Sequence, residues 1–292
     1  MLRLLGNNGP LLPAVGWGGM PVSLPPRASE RVSEALIRTF LDEGLTFVDT
    51  ADVYCRDDSD LGHNERLIAA ALHRHPRAHH VFVATKGGLR RPAGDWVEDG
   101  RPESLRRACE ASLLALRVDR IDLYQLHAPD PEVPFADSVG ELFRLRDEGK
   151  VGLVGLSNVS VSELEEALAL GPIASVQNRL HPLDLSAVED GVLSACERRG
   201  VGFIAYSPVG GRGERVRLLA NRTLNAVALA AGQDVGAVAL AWILSLSPAC
   251  FVIPGASRLE TWRASRTASH FTLDAAQLGR LDAEFGFERG SR

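Results

Sequence analysis

The sequence predicts a (β/α)8 barrel (α/β class, TIM-barrel type) with an N-terminal β-hairpin, and three observations carry that prediction. Eight short apolar runs, near residues 15–17, 46–49, 81–85, 121–126, 152–156, 174–177, 201–205 and 250–253, alternate with stretches of helical periodicity. Several of the runs end abruptly in a reactive side chain, as parallel barrel strands do where their carboxyl ends share one face. The one literal dinucleotide fingerprint, Gly200-Val201-Gly202-Phe203-Ile204-Ala205, falls after a helix and inside a strand run, whereas in a doubly wound sheet it follows a strand and opens a helix.

Taken in order, residues 2–12 with the turn Gly6-Asn7-Asn8-Gly9 read as a hairpin that plugs one end of the barrel. The first core strand runs into Gly18-Gly19-Met20, where missing side chains let a flat ligand approach the backbone. Residues 29–42 are helical by the spacing of Val32, Leu36, Phe40 and Leu41, and further helices are expected near 64–73, 102–116, 135–148, 161–169, 186–199 and 234–246. The longest irregular stretch, 87–101, should overhang the strand-end face, with Trp96 either as a substrate contact or as the residue that packs the loop down. The last strand leads through a small-residue turn, 253–258, into a helix. No long C-terminal substrate loop is expected after it, which implies an open site of modest specificity. The whole chain, 1–292, is expected to form one domain.

Composition narrows the function classes. A net charge of −5 argues against a general nucleic-acid or anionic-membrane binder, and no run of about 18 apolar residues is present to span a bilayer. Residues 1–20 lack the apolar core of a secretory signal, so a cytoplasmic address is expected. Cys55, Cys109, Cys196 and Cys250 are widely separated, which suggests neither a disulfide framework nor a zinc site. Asp57, Asp58, Asp60 and His63 read as a helix start rather than a metal set, and His73, His75, His79 and His80 as solvated. Against 30 Arg there are only two Lys, Lys86 and Lys150, so Lys86 at a strand end is conspicuous: a compact ammonium fits a tight site that a guanidinium would not.

The chain is organised around residues 46–54, where Phe47 and Val48 run into Asp49 and, five residues later, Tyr54. An ionised Asp49 on a buried strand needs a cation or donors to meet it. Two later strands end in Lys86 and His127, so an acid, a tyrosine, a lysine and a histidine converge. Asp49 with Thr50-Ala51 and Tyr54, followed by the strand-end Lys86 and His127, resembles the signature of the aldo-keto reductase superfamily, and the resemblance extends to Ile253-Pro254-Gly255.

That resemblance implies an NAD(P)H-dependent oxidoreductase reducing an aldehyde or ketone by hydride transfer. Tyr54 would be the general acid, its phenol eased toward ionisation by Lys86; Asp49 would hold the ammonium, and His127 would orient the carbonyl. It implies a nicotinamide site built from Gly18, Met20, Asp49, Ser157, Asn158 and Gln177, with Tyr206 stacking on the ring. Ser207, Pro208 and the loop 209–213 with Gly210 would cover the pyrophosphate, and Ile253, Gly255, Ser257 and Arg258 would lie at the adenosine end. Arg258 favours NADPH, with NADH as the alternative. Where the family usually carries an acid and an asparagine for the adenine, this chain has Ala264 and Ser265, with Trp262, Arg263 and Arg266 as candidates to compensate. The expected partner is a small carbonyl compound, pyridoxal among the candidates, acted on by a monomer with no metal. A non-catalytic nucleotide-sensing subunit on the same fold is the alternative function.

Overall fold

The computed structural model describes residues 1–289; the last three residues of the expected domain, 290–292, lie outside the described residues. β1 (Leu2–Leu4) and β2 (Leu11–Pro13) form the hairpin. There follow β3 (Trp17–Gly18), α1 (Glu30–Asp42), β4 (Phe47–Asp49), α2 (His63–Leu72), β5 (Phe82–Gly87), β6 (Leu89–Arg90), β7 (Val97–Glu98), α3 (Pro102–Leu116), β8 (Ile121–Leu126) and α4 (Phe135–Asp147). The second half comprises β9 (Val151–Ser157), α5 (Val161–Leu170), β10 (Ser175–Arg179), α6 (Ser186–Glu189), α7 (Val192–Arg199) and β11 (Gly202–Tyr206). It ends with α8 (Gly211–Leu219), α9 (Arg222–Ala231), α10 (Val235–Leu244), β12 (Cys250–Val252), α11 (Leu259–Thr267) and α12 (Ala275–Phe285).

Eight strands run parallel in the order β3-β4-β5-β8-β9-β10-β11-β12. The ends of this sheet meet: Val15 bridges Val252 and Gly18 bridges Gly255, with Gly16 N donating to Val252 O at 2.9 Å, so the sheet curls into a (β/α)8 barrel. The strands read as continuous apolar runs because they are covered on both faces, by helices outside and by one another's side chains inside. Leu5 and Leu12 from the hairpin join Phe47, Leu123, Ile204 and Phe251 in the interior cluster, so the hairpin plugs the barrel as expected. It is fastened there by Arg3, whose guanidinium donates to Ser247 O (2.7 Å), Cys250 O (2.5 Å) and Leu244 O (2.7 Å), carbonyls at and beyond the end of α10.

The structure departs from the sequence expectation in several places. The helix expected over 186–199 is broken into α6 and α7 at Gly191, whose φ of 82° is left-handed and ends one helix while starting the next. The stretch 87–101 is not wholly irregular: β6 and β7 pair antiparallel, Leu89 with Glu98 and Arg90 with Val97. α8, α9 and α12 were not expected. His75 is buried rather than solvated, its ring nitrogens engaging Asp42 Oδ1 at 3.1 Å and Arg77 N at 3.2 Å. Among the described residues no single helix is long and apolar enough to cross a membrane.

Candidate active site

Asp49 closes β4, Lys86 lies near the end of β5, and His127 follows β8, so the parallel register brings all three to the same end of the barrel, opposite the hairpin. Lys86 is fully buried and spends its three donors on Asp49 Oδ1 (2.6 Å), Thr50 O (2.8 Å) and Tyr54 OH (3.1 Å). The partner that the buried Asp49 required is therefore Lys86, and Gln177 Nε2 donates to its second oxygen at 2.7 Å, with Gln125 Nε2 further off at 3.5 Å. Tyr54 sits on the turn beyond β4, its ring edge-on to His127 (5.9 Å between centroids) and to Trp96 (6.3 Å).

Electrostatics sort these groups by protonation. Burial draws the Lys86 pKa down, but Asp49 and the Tyr54 oxygen more than reverse this, leaving it above the ordinary lysine value and the ammonium charged. Burial pushes the Tyr54 phenol above its ordinary value, and Lys86 recovers only part of that shift. Lys86 does ease Tyr54 toward ionisation, by its charge and its hydrogen bond, but desolvation of the buried ring outweighs it and the phenol stays protonated at neutral pH. Burial, reinforced by the Lys86 charge, drives His127 well below its ordinary value, so its imidazole is neutral, and its Nδ1 has no hydrogen-bond partner. An acid held protonated, a neutral imidazole and a fixed ammonium around one cleft can protonate and polarise a carbonyl oxygen.

Beside Tyr54 and Asp49 opens a cleft of about 380 Å³. Of the residues expected at a nucleotide, Gly18, Met20, Asp49, Tyr206, Ser207, Pro208, Ile253, Gly255, Ser257 and Arg258 line it. Gly18 must be glycine, because a Cβ there would lie 2.8 Å from Ile253 O. Ser157, Asn158, Gln177 and Gly210 do not line it. Asn158 is tied up by donating to His127 O (2.9 Å) and accepting from Tyr206 OH (2.9 Å), and Gln177 by Asp49. A Cβ on Gly210 would meet Arg215 N at 2.7 Å, so that residue packs on the first turn of α8. The proposed compensators for Ala264 and Ser265 are also otherwise engaged: Trp262 is buried against Phe40 (5.6 Å), and Arg263 and Arg266 both pair with Glu43.

Sequence reasoning missed Gln125, Arg215 and Thr261, and reached Arg212 only within the 209–213 loop. Arg212, Arg215 and Thr261 line the cleft from α8 and α11, and neither arginine forms an ion pair among the described residues. The signal for Gln125 was present, a lone amide at alternate spacing between Leu123 and His127. Trp96 does reach the site, half-exposed, with the Arg91 guanidinium 4.0 Å from its ring centroid and its edge toward His127 at 6.1 Å. The ring thus stands at the mouth of the site, packed on Arg91 and edge-on to Tyr54 and His127.

The chain is similar to known proteins in sequence and fold. The sequence pattern of the Aldo/keto reductase family matches residues 14–284. The chain is 32% identical over 259 residues to an uncharacterised oxidoreductase of Schizosaccharomyces pombe, covering 88% of this chain and 80% of that one. The fold superposes with a TM-score of 0.84 and 29% identity on a thermostable aldo-keto reductase solved with the inhibitor epalrestat, covering 97% of this chain and 99% of the other. It superposes with a TM-score of 0.81 and 24% identity on an aldo/keto reductase from Klebsiella pneumoniae solved with NADP and acetate, covering 99% and 97%. With a family match over nearly its whole length, on a barrel that gathers Asp49, Tyr54, Lys86 and His127 at one end, the chain belongs to the aldo/keto reductase family.

Proposed function

We propose that this protein is an NADPH-dependent reductase of small aldehydes or ketones in which Tyr54 is the general acid. The observation that carries the reading is the buried chain Asp49–Lys86–Tyr54, with Lys86 Nζ 2.6 Å from Asp49 Oδ1 and 3.1 Å from the phenol oxygen. A bound reduced nicotinamide supplies the hydride. The protein's part is to deliver a proton to the carbonyl oxygen as negative charge develops there, and Tyr54, held protonated by burial, is built to give one. Once the phenol ionises, Lys86 stands beside the phenolate and Asp49 keeps the ammonium in place. Neutral His127 donates a hydrogen bond to the same oxygen without adding a competing charge, and Trp96 walls the substrate side.

The cleft fits a dinucleotide. Gly18 and Gly255 leave its floor flat, Tyr206 offers a ring face, and Arg212, Arg215 and Arg258 bring to its lining three cations without acidic partners among the described residues. Such a set suits a pyrophosphate and a 2′-phosphate better than a neutral ligand. The same fold holds NADP in the Klebsiella pneumoniae protein. With the adenine pair absent at Ala264 and Ser265, phosphate recognition takes the larger share of nucleotide binding. We place the enzyme in the cytoplasm and keep pyridoxal among the carbonyl compounds to be tried.

The test is loss of NADPH absorbance with a panel of aldehydes and ketones, pyridoxal included, for the wild type and Tyr54→Phe. The variant should lose about 10²- to 10⁴-fold in kcat, the share a positioned acid contributes, while binding NADPH as tightly as the wild type. NADPH binding without turnover of any carbonyl would overturn the reductase reading in favour of a nucleotide sensor.

A further inference from the structure

A second cavity, of about 530 Å³, lies outside the barrel between α2, α3 and the β6–β7 hairpin, on the far side of the turn that carries Tyr54. Its floor holds two carboxyl groups that the reduction does not use. Asp52 is 7% exposed; Val53 N donates to its Oδ1 at 2.7 Å, and its Oδ2 makes no hydrogen bond among the described residues. Glu65 is fully buried; Thr85 Oγ1 donates to its Oε1 at 2.6 Å, and its Oε2 has no partner. That oxygen faces the cavity side: a Cβ on Gly62, a residue lining the cavity, would lie 3.6 Å from it. The Ser112 hydroxyl, itself without a partner among the described residues, lies close enough to Glu65 to hold its pKa down and competes with a ligand for that carboxyl. Burial pushes Glu65 up to about 6 and Asp52 well above the ordinary carboxyl range, with the neighbouring Glu65 adding to the cost of ionising Asp52. Unsatisfied buried oxygens of this kind are costly, and a matching donor from a ligand relieves the cost.

The mouth carries the opposite charge. Arg66 and Arg107 line it and form no ion pair among the described residues, where they donate to Leu61 O (2.6 Å) and Ser104 Oγ (2.9 Å), while Arg90 is held by Asp99 at 3.4 Å. The rest of the lining is largely apolar, with Leu61, Ala108, Ala111, Leu114 and Ala115, of which Leu114 is 81% exposed and so lies at the rim. A simple amine would suit the floor but meet two guanidinium groups at the mouth, and a simple acid would meet the reverse mismatch. A molecule bearing both charges and an apolar tail satisfies each wall.

We propose that this cavity is a second small-molecule site that takes a zwitterion of the α-amino-acid type with an apolar side chain. Its ammonium meets Asp52 and Glu65, its carboxylate meets Arg66 and Arg107, and its side chain packs on the α3 alanines and leucine. The occupant lies against the Asp52–Tyr54 turn, where Asp52 N is 3.5 Å from Lys86 O, so it touches the loop that positions the proposed acid.

The test is isothermal titration of the full chain, without nucleotide, using L-leucine, 3-methylbutylamine and 4-methylpentanoate. Leucine should bind saturably, and the amine and the acid should each bind at least ~10-fold more weakly, since each forfeits one charge-assisted contact. Arg107→Gln, a substitution near the surface, should weaken leucine ~10-fold without weakening the amine. Ala111→Trp should fill the cavity and abolish leucine binding in a chain that still unfolds cooperatively, and Tyr54→Phe should bind leucine as the wild type does. Absence of saturable leucine binding, an amine or acid that matches leucine, full affinity in Ala111→Trp, or lost affinity in Tyr54→Phe would each overturn the proposal.

Discussion

Removing the Lys86 ammonium tests whether the centre of the barrel is held by charge pairing. Lys86 and Asp49 are 0% and 1% exposed, with 2.6 Å between Nζ and Oδ1, so solvent screens neither charge. Breaking a buried pair from one side costs ~3–5 kcal/mol, mostly because the surviving charge is left in a low-dielectric interior. In Lys86→Met, Gln177 still donates to Asp49 at 2.7 Å, which places the expected loss near the lower end, ~3 kcal/mol. Asp49→Asn strands the ammonium instead, leaving it Thr50 O and Tyr54 OH, and a similar loss is expected. In the double variant neither charge remains, so its loss should be at least ~1.5 kcal/mol smaller than the sum of the two single losses. Urea unfolding of the four proteins at neutral pH measures this coupling. Losses that add within ~0.5 kcal/mol would refute the reasoning, because the two groups would then not be holding each other's charge.

Three further outcomes follow from the same structure. Because His127 is held neutral well below its ordinary range and Tyr54 is raised, kcat/KM for reduction should show no limb near pH 6.5 and should fall on the alkaline side only above a free phenol's ~10; a limb near 6.5 would contradict the assignment of His127. Glu65 rises from 4.5 to about 6 on folding, so it favours the folded state below pH 4.5 and that support is lost as pH rises to about 6. The loss amounts to ~2 kcal/mol, so Glu65→Gln, which keeps the Thr85 contact, should gain relative to the wild type between pH 4.5 and 7; an unchanged difference in urea stability at the two pH values would argue against it. Arg258→Ala should weaken NADPH ~10- to 100-fold by fluorescence titration and leave NADH nearly unchanged, whereas equal losses would mean that Arg258 does not read the 2′-phosphate.

How far the sequence disclosed these features depended on the kind of signal each left. The eight strands were legible because strands buried on both faces are apolar runs, and their register with the helices left little freedom of topology. Asp49, Lys86 and His127 were legible because a reactive side chain at the end of an apolar run has few structural reasons to be there. α9 could have been read, since Leu224, Val227 and Ala228 keep helical spacing between Asn221, which caps Leu224 N, and Gly232 in the left-handed region. α8 could not: its buried face is Leu218 alone, and glycines at 210, 211 and 213 argue against a helix that tertiary contact nevertheless forms. The upward shift of the Tyr54 pKa was illegible as well, because the balance between desolvation and the Lys86 charge depends on how deeply the ring is buried, which no local pattern encodes.

The alternation of side chains along the strands explains why one network serves both stability and chemistry. Inward positions recur every second residue, so Phe47 and Asp49 on β4, Ala84 and Lys86 on β5, and Leu123 and Gln125 on β8 fall into successive layers of the barrel, with His127 one step beyond. The lower layer is apolar: Phe47, Leu123, Ile204 and Phe251 pack beneath the charges and are sealed from below by Leu5 and Leu12 of the hairpin. The layer above holds Asp49, Lys86, Gln125 and Gln177, each with its partner inside the barrel. A dry layer under a charged one lowers the local dielectric, which strengthens the Asp49–Lys86 pair and raises the Tyr54 pKa together. A substitution that lets water into the lower layer, such as Phe251→Ala, should therefore lower the Tyr54 pKa as well as stability, although Phe251 lies outside the catalytic cleft. Ultraviolet titration of Tyr54 in the parent and the variant, each compared with its Tyr54→Phe counterpart, would expose the link. A phenol pKa unmoved by a cavity in the layer beneath it would show that the two layers are independent.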